Sequence, residues 1–481
     1  MGDPFVLLLI GMVIVIGGII GLKLHPFLAM ILAAFVVAVL TPTINIEQFG
    51  LTKGMSPEAA LKFSKLNTGE RVATEFGNTC GKIGVMIALA AIIGKCLLES
   101  GAAERIIRSI LQLTGIEKAP ASFLVSSFFI GIPVFFDTVM FLMMPLVKAM
   151  TVRLGKNYLL LLMCIYAGAA MANSLVPPAP GPLFLISELQ IPIGMMMLCG
   201  VIVGMFTITA GYFFSVWVNK KMPIELRDSV DAKISDIQHI ADRDLSLLPS
   251  LGMSLLPLII PLICIGADTF FSSYLNKVDL SGQSFFFQNI MPIIKFVGNK
   301  NTAILLGAIA ALWVVVRQRK GNNEVLSGFV QAAILSGGGI ILITAAGGAF
   351  GAMLQQTGIS DKIANLTSGY QLALIPLAFL IAAVVRTAQG SATVSLITAS
   401  GILSGMALHT DLGFHPVYIG LAIGCGSKLV PWMNDSGFWI ICRLSNLTEK
   451  EGLKTITPLL AIMGLTGLIV IMIGAKIFPL V

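Results

Sequence analysis

Seven stretches of this chain (residues 4–21, 26–40, 159–176, 192–218, 247–266, 302–316 and 459–477) are continuously apolar. They approach or exceed the ~20 residues that a helix needs to cross a bilayer. Lipid offers backbone N–H and C=O groups no partner, so each run must satisfy its own backbone as a helix. A membrane β-barrel is disfavoured, because its strands would alternate apolar and polar residues. Composition agrees: 11% of the residues are charged, against about 25% in soluble domains. The first run follows Met1-Gly2-Asp3, which has no basic residue, and ends without a small-residue cleavage pattern. It is expected to be a retained helix, not a signal peptide.

The chain also repeats itself. Gly94, Leu97, Gly101, Glu104, Arg105 and Ile106 recur as Gly351, Leu354, Gly358, Asp361, Lys362 and Ile363, each 257 residues on (351 − 94). Gly81 and Ala88 match Gly338 and Ala345 at the same offset. A repeat in so apolar a chain predicts a transporter built of two related halves with its site between them. The expected halves are residues 1–218 and 247–481, joined by a charged, mixed-sign linker over 219–246 that holds His239.

Charge predicts how the halves lie. If 219–246 is cytoplasmic and the spans alternate, 18 of the 31 Lys and Arg fall on the inner side and 9 on the outer. The other four (Lys82, Lys95, Arg386 and Lys428) fall in embedded stretches. A two-to-one bias fits the positive-inside rule and accounts for the net charge of +7 without a nucleic-acid partner. In this topology both termini are outside, and 84–98 runs inward while 341–354 runs outward. The repeats are then inverted. Of the seven cysteines, six lie in or beside apolar segments and none forms a CxxC or Cys/His cluster. They read as inert buried thiols, and no metal or cofactor is expected.

Each half contains two interruptions. The first has Gly131-Ile132-Pro133-Val134-Phe135-Phe136-Asp137-Thr138 and then Asn173-Ser174-Leu175-Val176-Pro177-Pro178-Ala179-Pro180-Gly181-Pro182. At the same offset the second has Ala388-Gln389-Gly390-Ser391-Ala392-Thr393 and then Val430-Pro431-Trp432-Met433-Asn434-Asp435-Ser436-Gly437. Proline clusters stop a helix, and open backbone at membrane depth survives only where it is buried or lines a cavity. Matched breaks therefore point to the substrate site. They predict hairpins over about 120–146 and 373–403 and broken helices at about 173–182 and 430–437. Half-helix N-termini favour anions, and Asn173, Ser174, Gln389, Gly390, Ser391, Thr393, Asn434 and Ser436 are groups suited to a hydroxylated acid. Taken singly, such small polar residues could equally be helix–helix contacts.

Intramembrane charges are functional candidates, with a structural ion pair as the alternative. Arg386 could attract a carboxylate or pair with Asp435. Asp137 is placed among Phe135, Phe136 and Met140, a setting that suits proton coupling, and Asp435 is the second candidate for that role. Lys82 and Lys95 can snorkel from near a helix end, and Lys428 is left without a role. Glu99, His25, His409 and His415 read as boundary residues.

These strings, with Arg386-Thr387-Ala388-Gln389-Gly390-Ser391-Ala392-Thr393-Val394, Asn434-Asp435-Ser436-Gly437-Phe438-Trp439 and the early Leu24-His25-Pro26-Phe27-Leu28-Ala29, resemble the gluconate permease family over nearly the whole chain. These are bacterial inner-membrane gluconate:H+ symporters within the ion transporter superfamily. The resemblance implies an inverted-repeat fold with two re-entrant hairpins and proton-coupled uptake of a small organic acid by alternating access. Relatives carry gluconate, other sugar acids, glycerate or D-serine. Asp137 stands where the family usually has glutamate, and Asn173 and Ala179 where it usually has histidines. A sodium-coupled carrier of another small organic or amino acid with the same fold is the alternative. An intramembrane enzyme is not expected, since no HExxH, GxSxG or paired metal-ligand spacing occurs. A homodimer is compatible with the sequence but not required by it.

Overall fold

The computed structural model describes residues 3–227, 247–275, 290–318, 323–359, 371–409, 412–432 and 435–480, and all regular elements among them are helical. Before residue 228 lie α1 (Pro4–Ile16), α2 (Pro26–Leu40), α3 (Thr43–Thr52), α4 (Pro57–Ser64), α5 (Thr68–Glu99), α6 (Ala102–Thr114), α7 (Ala119–Ile130), α8 (Phe136–Leu154), α9 (Tyr158–Leu175), α10 (Pro180–Glu188) and α11 (Ile193–Lys221). After it come α12 (Leu251–Leu275), α13 (Met291–Gly298), α14 (Lys300–Gln318), α15 (Asn323–Gln355), α16 (Leu374–Gln389), α17 (Ala392–His409), α18 (Val417–Gly426), α19 (Ser436–Ser445) and α20 (Glu449–Ile477). Most of 219–246, the 361–363 end of the second repeat copy, His239 and Asn434 lie outside the described residues.

Among the described residues seven helical segments are long and apolar enough to cross a membrane, and α2 continues into α3 through a 102° bend. Their outward faces are apolar: Phe213, Ile263, Leu335 and Ile469 are each more than half exposed, as expected where the solvent is lipid. Two of the seven, α5 and α15, are longer than their apolar runs at 84–98 and 341–354. The first turn of α5 is polar, which conceals it in a hydropathy reading. Arg71 in that turn is nevertheless buried. Its Nη1 donates to Gln356 Oε1 at 2.7 Å and its Nη2 to the Ala38 carbonyl at 3.0 Å.

Helix order recurs along the chain. The starts of α5, α7, α8, α9, α10 and α11 are followed 255 to 259 residues later by those of α15, α16, α17, α18, α19 and α20 (323 − 68; 417 − 158). Gly101 and Gly358, which end the long helix in each set, are both left-handed, at φ 77° and 79°. Packing recurs too: α7 lies on α9 and α9 on α11, as α16 lies on α18 and α18 on α20. The repeated glycines Gly94 and Gly351 have the same task. Gly94 lets α5 approach the α7–α8 break, where a Cβ would sit 3.4 Å from Val134 Cα, and a Cβ on Gly351 would sit 2.7 Å from Gly401 Cα in α17. Small residues also bring α5 and α15 together, with Gly337 against Ala91 and Gly348 against Thr79. At the centre, almost every residue of α9 and all of α18 are buried.

Candidate functional site

Four breaks, at matched places along the chain, come together around one cavity of about 310 Å³. This is at the lower end of the roughly 300–1,000 Å³ typical of small-molecule sites. The first turn of α8 contributes Phe136, Asp137 and Thr138, and α10 contributes its first residue, Pro180. The first turn of α17 supplies Ala392, Thr393 and Val394, with Ser391 just before it. Asp435 and Gly437 come from the start of α19. Each helix presents its N-terminal end, where backbone N–H groups lack helical partners and the dipole is positive. Four such ends around one space make it suited to an anion.

Local sequence explains the ends. Gly390 leaves α16 in the left-handed conformation (φ 84°), and its N–H donates to the Arg386 carbonyl at 2.8 Å. The chain then re-enters a helix at once, and Ser391 Oγ accepts from Val394 N–H at 3.3 Å. Asp435 caps α19, its Oδ1 accepting from Gly437 N–H at 2.9 Å. Pro180 stands in the first turn of α10, where its missing N–H costs nothing.

The cavity's charges come mainly from the second set of helices. Arg386 and Lys428 are both buried at its wall. Arg386 Nη2 is hydrogen-bonded to Asp435 Oδ2 in an ion pair whose side chains are 3% and 8% exposed. Arg386 Nε and Nη1 have no hydrogen-bond partner among the described residues. Asp137 faces the cavity and is exposed to it, while Met140, one turn on, is buried elsewhere. Phe135 and Phe136, the aromatic neighbours in its sequence setting, line the cavity beside it.

Of the residues singled out from sequence, Asp137, Asn173, Arg386, Ser391, Thr393 and Asp435 meet at this cavity. Ser174 does not. One residue beyond Asn173, it is turned about 100° round the helix. There it is fully buried, its Oγ 3.2 Å from Ser427 Oγ. Gly390 contributes the backbone turn and is not part of the lining. Ser436 is the first residue of α19; its side chain and that of Gln389 lie outside the described residues. Lys82 pairs with Glu188 at 3.6 Å and Lys95 with Glu99 at 2.8 Å, both apart from the cavity. His25 and His415 accept backbone N–H groups at the starts of α2 and α18.

Sequence reading missed Thr138, Tyr166 and Ser336 and gave Lys428 no role. A helical period would have found Tyr166, since Tyr166, Ala170 and Asn173 form one stripe at i, i+4 and i+7. Ser336, Ile340 and Ile343 form the same stripe on α15. Nothing in the α15 sequence marks that stripe as the one facing the cavity.

A bundle of membrane-crossing helices with two breaks in each half, gathered around a charged cavity, is the build of a membrane transporter. Two transporters share this fold: YdaH of Alcanivorax borkumensis (TM-score 0.58, 12% identity, 85% of this chain and 88% of that one) and MtrF of Neisseria gonorrhoeae (0.62, 16%, 86% and 84%). The family model described as GntP family permease matches residues 4–477. A gluconate permease of Pseudomonas aeruginosa is 31% identical over 97% of both chains, and one of Bacillus subtilis is 28% identical over 97% of this chain and 98% of that one. A low-affinity gluconate transporter of Escherichia coli is 29% identical over 83% and 86%. The chain belongs to the GntP permease family. It is a multi-pass protein of the bacterial inner membrane, a permease and not an enzyme.

Proposed function

We propose that this permease takes up gluconate or a closely related hydroxy or sugar acid together with protons, by alternating access between the halves 1–218 and 247–481. The observation that carries the reading is four helix N-termini around a cavity whose wall also holds the cations Arg386 and Lys428. A carboxylate supplies acceptors for both a cation and the helix ends. Asn173, Tyr166, Thr138, Ser391 and Thr393 offer donors and acceptors for hydroxyl groups. The gluconate permeases among its relatives supply the substrate class.

Charge balance favours a proton as the coupling ion. With Arg386, Lys428, Asp137 and Asp435 all ionised the cavity is neutral. One bound monocarboxylate makes it −1, and one proton returns it to zero. An uncompensated charge within the membrane costs at least about 2.5 kcal/mol, so the empty and fully loaded carriers change sides more readily than the half-loaded one. Both Asp435 oxygens already accept hydrogen bonds, which leaves Asp137 as the proton carrier. Purified protein in liposomes tests the reading. Labelled gluconate should accumulate under an inside-alkaline pH gradient and be released by a protonophore. Accumulation driven by a Na+ gradient alone would instead establish sodium coupling.

A further inference from the structure

Among the described residues the cavity wall holds two cations, Arg386 and Lys428, and only the first has a counter-ion in contact. Arg386 is paired with Asp435, whose Oδ1 is in turn fixed by Gly437 N–H at 2.9 Å. The remaining guanidinium nitrogens, Nε and Nη1, are sealed in the interior. Lys428 is 5% exposed and lines the same cavity, yet its ammonium makes no hydrogen bond and no ion pair among the described residues. Nor is it sealed as the Arg386 nitrogens are. Its charged neighbours Arg386 and Asp435 act on it in opposite senses, and Asp137 is not in ion-pair contact with it. An ion without a partner in contact is costly within a membrane.

The fold does not need a cation at this position. At the offset of the repeat, Lys428 corresponds to Met171 (428 − 257), which is apolar and fully buried. The surroundings nevertheless hold the lysine in place. It stands two residues past the end of α18, and its backbone N–H donates to the Cys425 carbonyl at 3.1 Å. There the negative end of the helix dipole stabilises a cation while no ligand is bound. Ser427 Oγ donates to the Gly424 carbonyl at 2.7 Å and lies 3.2 Å from Ser174 Oγ. The backbone before it is wedged: a Cβ on Gly424 would come within 2.7 Å of the Ser174 carbonyl oxygen, and one on Gly426 would collide with the Phe379 carbonyl. The turn that carries Lys428 therefore cannot swing away from α9 and α16. Ser174 adjoins Asn173, so one contact fixes both a cation and an amide at the cavity.

We propose that Lys428 is the substrate-binding residue that takes the carboxylate of the acid, while Arg386 and Asp435 stay paired in the wall beside it. The ammonium offers donors only, and a bound carboxylate supplies the contact partner that the empty site lacks. The hydroxyl groups of the substrate are then left to Tyr166, Asn173 and the first turn of α17. The inference rests on the reading of the cavity as the site for a hydroxy acid, and it names the side chain that tells such an acid from a neutral polyol.

Sorbitol has the carbon chain of gluconate with a hydroxymethyl group in place of the carboxylate, which makes the two a direct probe. Binding of each to the purified full-length protein gives the ratio of their affinities. Wild type should prefer gluconate by at least about thirtyfold, the effect of one desolvated charge pair. Lys428→Met, which copies the residue of the first half, should narrow that preference at least tenfold by weakening gluconate and not sorbitol. A lysine with a merely structural role would weaken both alike and leave the ratio where it was. Lys428→Arg, which keeps the charge, should retain more of the preference than Lys428→Met. Lys428→Gln serves the same comparison if the methionine variant does not fold. An unchanged preference in a folded, uncharged Lys428 variant overturns the inference and leaves the carrier reading intact. Wild type that binds neither ligand, or binds gluconate no better than sorbitol, overturns both.

Discussion

Asp137 and Arg386 show how far a single residue can be read from its surroundings in the chain. Asp137 follows a break among aromatic residues, and that position alone marks it as a candidate. That it opens into the cavity and not into a lipid-like pocket depends on how α8 lies against α9, where Phe136 stacks edge-on against Tyr166 at 5.2 Å. Under the proposed coupling, Asp137→Asn protein should still exchange labelled for unlabelled gluconate, but a pH gradient should no longer drive accumulation. Wild-type accumulation in that variant would remove Asp137 from the coupling step. Arg386 was compatible with either a ligand or a structural pair. The structure pairs one of its nitrogens with Asp435, while Nε and Nη1 are buried without a hydrogen-bond partner among the described residues. Arg386→Gln should cost about 3–5 kcal/mol of stability by leaving Asp435 unpaired. Because the two residues share one interaction, Arg386→Gln with Asp435→Asn should cost less than the sum of the single changes. Thermal unfolding in detergent measures both, and strict additivity would speak against the pair.

At the scale of the element, the repeated glycines explain why the repeat is visible in the sequence at all. Gly94 and Gly351 both sit where a long helix passes another backbone; a Cβ at Gly94 would make ordinary contact with Val134, whereas one at Gly351 would force the helices apart. At Gly351 the obstacle is the backbone of Gly401, which cannot swing aside as a side chain would. Gly351→Val should lower the stability by about 1–3 kcal/mol, the usual cost of overpacking, visible as a lower unfolding temperature. No loss would mean that α15 and α17 separate without penalty. The breaks were legible for a related reason: proline and glycine act on their own backbone, whatever packs around them. The first turns of α5 were not legible, because Arg71 is stabilised in the interior by Gln356 and the Ala38 carbonyl, groups 285 and 33 residues away.

For the whole molecule, the two related stripes on α15 and α5 are in different environments. Ser336, Ile340 and Ile343 line the cavity. Their equivalents 257 residues earlier, Thr79, Ile83 and Met86, are buried, with Thr79 packed on Gly348. If the halves exchange conformations during transport, these faces should exchange exposure. With the native cysteines replaced, Ser336→Cys should react with a hydrophilic thiol reagent and be protected by gluconate, while Thr79→Cys stays unreactive. Conditions that favour the opposite-facing state should reverse the two rates. Parallel changes at both positions would argue against exchange. The sequence by itself determined that the chain is a bundle of membrane helices, where those helices break and that the breaks recur at one offset. These follow from backbone hydrogen bonding in lipid and from the stereochemistry of proline and glycine, which act locally. Only the tertiary structure decided that four breaks share one cavity, that Ser174 turns away from it while Tyr166 and Ser336 turn in, and that Arg386 is paired with Asp435. Those outcomes depend on how helices far apart in the chain are rotated against one another, and rotation is set by packing between them.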